Sequence, residues 1–258
     1  ADFDSYDAIT DTWKKNGEPV QTPLEGVSTG ARPGTMKLKN TNGDAQGAVD
    51  AERTVIGNTM PLFTGGFAIT GTIGGKNWGN IDVATNFTFS YGNDVVNLTA
   101  LDLTTIYDKS KLRNNQASVA HGKRYSLFDA NGNYIPAAHA GNYEALANAL
   151  EANNAGASIY NPYSNAIALT DKVIEDGSFL RLSALTVGYS LPDDWLNKAH
   201  LSKARIFFSA SNLFCLTNYS GADPEVDTGS KRNPLATGVD FSAYPRTRAF
   251  NIGVNLSF

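Results

Sequence analysis

Five stretches of this chain alternate large apolar residues with small polar ones. The C-terminal AFNIGVNLSF sets Phe250, Ile252, Val254, Leu256 and Phe258 against Asn251, Gly253, Asn255 and Ser257. Successive side chains of a strand point to opposite faces, so such a stretch predicts a strand with one oily and one wet face. LFTGGFAITGTIG places Phe63, Phe67, Ile69 and Ile73 on one parity and Thr64, Gly66, Ala68, Thr70 and Thr72 on the other. IDVATNFTFSY opposes Ile81, Val83, Phe87, Phe89 and Tyr91 to Asp82, Asn86, Thr88 and Ser90. Beyond Ala184, Leu185, Val187, Tyr189 and Leu191 alternate with Thr186, Gly188 and Ser190. RIFFSASNLFCLT is less regular: Phe207 and Phe208 fall on opposite faces, and parity is mixed around Asn212.

Across residues 62–74, 81–91, 184–191, 206–216 and 250–258, the sole charged side chain is Asp82, on the wet parity. A soluble sandwich normally carries Lys and Glu on its outward face, where this chain has Asn, Thr, Ser and Gly. That suits a membrane barrel with an apolar lipid face and a polar lumen, because Lys or Arg facing lipid costs about 2–4 kcal/mol at the midplane. Buried soluble sheets also lack charge, so lack of charge leaves both settings open. Connection lengths favour the barrel. Gly74–Trp78 is a short turn, 92–177 a long excursion, LPDDWLNKAHLSK a modest turn and 217–248 another long loop. Outer-membrane barrels show this asymmetry, with short periplasmic turns and long extracellular loops. It puts Phe258 at the periplasmic side.

The predicted fold class is therefore all-β: a transmembrane antiparallel β-barrel segment with long extracellular loops. Residues 1–61, with clustered Gly, Pro, Asn and Asp, read as an extracellular loop region, and 62–258 as barrel strands with their loops. Within the first long loop, NYEALANALEAN spaces Tyr143, Leu146, Ala147 and Leu150 as one short surface helix capped by Asn142.

Composition narrows the classes. The chain has 258 residues and a formal net charge of −4, which gives no footprint for nucleic acid. Charged residues make up 18% of it, below the usual value of about 25%. The single Cys215 excludes an intramolecular disulfide and a multi-cysteine metal site. No run of about 18 apolar residues predicts a transmembrane helix. The start, ADFDSYDAIT, lacks the basic and apolar regions of a signal peptide. The expectation is a cytosolic chain or one preceded by further sequence.

DGSFLRLSALTVGYSLP (Asp176–Pro192) resembles the C-terminal region of the SusC/RagA family of TonB-dependent outer-membrane transporters. RTVIGNTMPLFTGGF (Arg53–Phe67), FSYGNDVVN (Phe89–Asn97), NLFCLTNYSGADPEV (Asn212–Val226) and YPRTRAFNIGVNLSF (Tyr244–Phe258) resemble further family landmarks in family order. The resemblance implies a barrel of about 22 strands around a plug. This chain would then be the C-terminal portion, with an N-terminal remainder supplying the plug, the other strands and the TonB contact. It also implies a bacterial outer-membrane location with lipid around the wall and a SusD-like surface lipoprotein as lid. The ligand implied is an oligosaccharide, with peptides the competitor. A terminal aromatic such as Phe258 resembles the signal read by the barrel-assembly machinery, and it also suits an interfacial ring.

Several groups are candidates for contact chemistry. Tyr160, Tyr163 and Tyr219, with Asp223 and Glu225 nearby in sequence, offer rings and carboxylates to a sugar or to the lid, or else pack the loops together. Asp82 and Asn86 are expected to face the lumen. NTNGDAQGAVDAER leaves Asn42, Asp44 and Asp50 as calcium ligands, although Ala45 and Gln46 break the spacing and an Asx turn explains the stretch more simply. No other cofactor is implied. His121, His139 and His200 are scattered and no nucleophile or phosphate motif appears, so the chain is not read as an enzyme. Two alternatives stand beside the transporter: a self-contained small porin, and a soluble carbohydrate-binding β-sandwich.

Overall fold

A computed structural model describes residues 3–20, 32–36, 53–105, 122–161, 169–227 and 237–258. In chain order the strands and helices are β1 (Ser5–Asp7), β2 (Thr12–Lys15), β3 (Glu18–Pro19), β4 (Phe63–Gly75), β5 (Gly79–Tyr91), β6 (Asp94–Asn97), α1 (Leu98–Thr104), α2 (Ile135–Ala138), α3 (Tyr143–Asn153), β7 (Ile174–Asp176), β8 (Phe179–Ser190), α4 (Asp193–Lys198), β9 (Lys203–Thr217), β10 (Val239–Asp240) and β11 (Ala249–Ser257). The chain divides into two compact units, residues 1–55 with 100–170, and 56–99 with 171–258.

The first unit is built on Trp13. Its indole is 2% exposed and is packed by Leu127, Ile135, Leu146 and Leu150, with the Phe3 ring edge-on at 5.6 Å. Residues 5–19 thus form a small antiparallel meander, β1–β2–β3, where the composition of 1–61 predicts loop. The positive-φ pair Asn16–Gly17 makes the β2–β3 turn, and the alternation on either side is too short to stand out in sequence. The predicted helix is α3, with Asn142 accepting from the Ala145 amide at its N-cap. It is not purely superficial, because Leu146 and Leu150 enter the core.

The second unit carries the five predicted strands. They form one antiparallel sheet in the order β11–β9–β8–β5–β4, each pairing with its neighbour in sequence among the five. Register joins their oily rows into one face: Phe67 lies opposite Phe87, Val83 opposite Val187, Val187 opposite Phe208, and Phe208 opposite Ile252. Two register shifts preserve this, one of them between Asn86 and Phe87 where β5 meets β8. The register shifts between Leu182 and Ala184 on β8, so that Leu182 pairs with Phe214 while Ala184 pairs with Ser211. Asn212 sits in the resulting bulge at φ +54°, which explains the mixed parity of the β9 sequence. The sheet is open, with β4 and β11 at its edges. The short β4–β5 turn and the β8–β9 connection lie at one end with Ser257; the long connections leave from the other. A second small sheet, β10–β6–β7, lies in the long connections of this unit. The modest turn after β8 contains helix α4, whose Leu196 is buried.

Candidate functional site

The oily face of the sheet is open. Ile69, Ile252 and Leu216 are 60%, 79% and 61% exposed, and Phe63, Phe67, Phe250, Val254 and Leu256 are likewise exposed. A soluble fold would bury such a row against a second layer, since each large apolar side chain gains about 1.5–3 kcal/mol on burial. An exposed apolar surface of this extent marks an interaction surface, and its width across five strands suits lipid. Rings gather at its two ends: Phe63 stacks on Tyr91 at 5.1 Å at one end, and Trp78 sits beside Tyr189 at the other, the Tyr189 hydroxyl donating to the Trp78 carbonyl at 2.7 Å.

The opposite face is polar, and its chemistry lies in two ion-pair clusters. Asp82 is not the lone charge that the sequence suggests: β9 begins at Lys203 and brings Arg205 onto the wet face. The guanidinium of Arg205 grips the Asp82 carboxylate through Nε, at 3.0 Å, and Nη2, at 2.5 Å,. It crosses β8 at Gly188, where a Cβ would stand 2.2 Å from its Nη2. Asn86, on the same face, is exposed.

The second cluster lies near the long-loop end. Arg181 shares a row with Thr88 and Cys215 on the wet face and is 3% exposed. Its Nη2 meets Asp223 Oδ1 at 2.5 Å, its Nε lies 2.7 Å from Glu225 Oε2, and its Nη1 donates to Asn212 Oδ1. Glu225 also pairs with Arg246 Nη1 at 3.0 Å. The Asn212 side-chain amide donates to the carbonyls of Arg246 (3.0 Å) and Thr247 (3.4 Å), holding the segment that leads into β11 beside the bulge. Between these groups opens a cleft of about 500 Å³ lined by Arg181, Ser183, Ser211, Asn212, Tyr244 and Arg246.

The loop candidates divide accordingly. Tyr219 is 5% exposed and donates to Asp240 Oδ2 at 2.7 Å; burial, helped by that carboxylate, pushes its hydroxyl well above the ordinary tyrosine range. Asp223 is 3% exposed and spent on Arg181. Both therefore pin the loop that follows β9 rather than present a free ring or carboxylate. Glu175 does the same, accepting from Asn97, from the Ser220 hydroxyl and from the Ser220 amide. Glu225, half-buried, reaches the cleft edge through Arg246. Tyr160, also half-buried, belongs to the other unit. Tyr163, Asn42, Asp44 and Asp50 lie outside the described residues. Phe258 is 92% exposed at the short-turn end. The sequence reading missed Arg181, Asn212, Tyr244 and Arg246. The LRL alternation over Leu180–Leu182 is a strand signal that could have placed Arg181 on the wet face.

No family model matches the chain. TonB-dependent receptor P3 of Formosa agariphila is 28% identical over 235 residues, covering 90% of this chain and 20% of that protein. TonB-dependent receptor SusC of Bacteroides thetaiotaomicron is 32% identical over 130 residues, 45% of this chain and 12% of that one. Among solved structures, the RagAB peptide importer in its closed-closed state superposes on 99% of this chain and 22% of that one, with TM-score 0.54 at 18% identity. That last likeness concerns the fold alone. In sequence the chain is similar to TonB-dependent receptors, SusC among them. It spans about a fifth of the length of the first curated relatives. The open apolar face and the polar face are the two sides of one antiparallel sheet, and the cleft sits on the polar side.

Proposed function

We propose that this chain forms part of the wall of an outer-membrane importer driven through TonB, with its oily face in lipid and its polar face on the import pathway. The observation that carries the reading is the single continuous, exposed apolar face, backed by rows of Thr, Ser and Asn. Charges on the polar side occur as close pairs, Arg205 with Asp82 and Arg181 with Asp223, an arrangement that suits a partly hydrated lumen. Backbone groups in lipid need partners, so the outer edges of β4 and β11 pair with further strands to close the wall. The short turns and Phe258 face the periplasm, and the long connections face outward, where a SusD-like lipoprotein covers the pore. Its role is transport rather than catalysis, and the cargo is an oligosaccharide or a peptide.

Single cysteines test the reading in a Cys215→Ser background in native outer membranes. With cysteine at Thr70 or Asn251, a hydrophilic maleimide should label the protein once the pathway is open to reagent. With cysteine at Ile69 or Ile252 it should not, while a lipid-soluble maleimide should. Equal labelling of both rows by the hydrophilic reagent would overturn the proposal.

A further inference from the structure

We infer that the cleft between the β8–β9 bulge and the segment preceding β11 binds a carboxylate group of the imported molecule, held by Arg246 and covered by the Tyr244 ring. The inference rests on the proposed import function and names the chemistry of one of its contact points.

Arg181 and Arg246 look alike in sequence but differ in what they can offer. Arg181 is 3% exposed, and Asp223, Glu225 and Asn212 occupy its guanidinium. It belongs to the frame of the cleft. Arg246 is 54% exposed, lines the cleft and, among the described residues, meets a carboxylate only at Nη1, on Glu225. Glu225 is held from the inner side by Arg181 at 2.7 Å, so it neutralises Arg246 only in part. A planar fork with free N–H groups matches the two oxygens of a carboxylate. Tyr244 is 85% exposed on the same cleft and supplies a ring to cover the body of a ligand. The remaining lining, Ser183, Ser211, Asn212, Pro245 and Thr247, is neutral and adds hydroxyl partners. A volume of about 500 Å³ fits two or three residues of a chain-like ligand.

The backbone is held for this task. Asn212 adopts φ +54° in the bulge, and its amide group fixes the carbonyls of residues 246 and 247. Asn212 is thus a positioning residue for Arg246. A carboxylate can come from a peptide C-terminus or from an acidic sugar, and the guanidinium does not distinguish them.

Calorimetric titration of the detergent-solubilised intact protein separates these. The probes are trialanine against trialanine amide, and trigalacturonate against maltotriose. The expected result is that at least one acid binds and that its paired probe, which lacks the carboxylate, binds about tenfold more weakly or less. Arg246→Gln should erase that preference. Arg246→Lys, which keeps the charge and loses the fork, should retain only part of it. Preference for trialanine alone identifies a peptide carboxylate, and for trigalacturonate alone an acidic sugar. Equal binding of probes with and without the carboxylate, no acid binding, or an unchanged preference in Arg246→Gln each overturns the site. Heat-modifiable gel migration, read on every variant, reports the barrel separately, so the cleft can fail while the wall reading stands.

Discussion

At the residue scale, the loops of the sheet unit are set by a few carboxylates that each serve several donors. Arg181 and Asp223 are both 3% exposed, and removing one partner strands a buried charge. Arg181→Ala should therefore lower stability by about 3–5 kcal/mol, read as a fall in the urea midpoint of the folded, heat-modifiable band. Truncating the half-exposed Arg205 should cost much less. Tyr219 gives a pH test. Its folded-state pKa lies above the ordinary 10.0 because burial and Asp240 disfavour the phenolate. Its contribution is thus complete below pH of about 10 and is lost as pH rises toward the folded value. The wild-type melting temperature should fall more steeply than that of Tyr219→Phe above this point; parallel curves would rule the linkage out. Sequence marked Tyr160, Tyr163, Tyr219, Asp223 and Glu225 as a set; Asp223 and Glu225 share Arg181, whereas Tyr219 bonds Asp240. Whether a ring or carboxylate is free or spent depends on partners such as Asp240 and Arg181, distant along the chain.

At the element scale, the period-two rows decide membrane compatibility. Ile69 lies mid-strand on the oily face and Thr70 on the wet face. Ile69→Lys should reduce folding by about 2–4 kcal/mol in bilayers, whereas Thr70→Lys should be close to neutral. Folded fractions on a gel across a urea series would show the contrast, and equal costs would contradict the assigned faces. Strand existence was legible for all five strands because four alternate cleanly over seven or more residues and the fifth, though mixed around Asn212, is a long uncharged apolar run. Their ends were less legible: β8 begins at Phe179 and β9 at Lys203, earlier than the clean patterns at Ala184 and Arg205. The β8 bulge at Ser183 hides the earlier start, and β9 pairs beyond its regular run. The meander of residues 5–19 escaped the reading because strands of two to four residues carry almost no periodic signal.

At the scale of the whole molecule, two edges dominate the sheet unit. Five strands fall short of the eight of the smallest membrane barrels, and lipid offers no partner for the open sides of β4 and β11. In membranes, the outward amides of these strands should exchange hydrogen as slowly as those of the central β8. Mass-spectrometric exchange would detect an unpaired edge as rapid labelling of peptides covering 63–75 and 249–257.

The sequence by itself determined the strand rows, their order, the short and long connections, the α3 cap and the family likeness, because each is local or ordered along one chain. The tertiary structure alone decided that the oily rows merge into one exposed face, that Asp82 is paired with Arg205, and that Arg181 is buried while Arg246 is open. Those outcomes depend on register, on a bulge that shifts the parity of β8 at Ser183, and on contacts between residues far apart in sequence, none of which a one-dimensional pattern encodes.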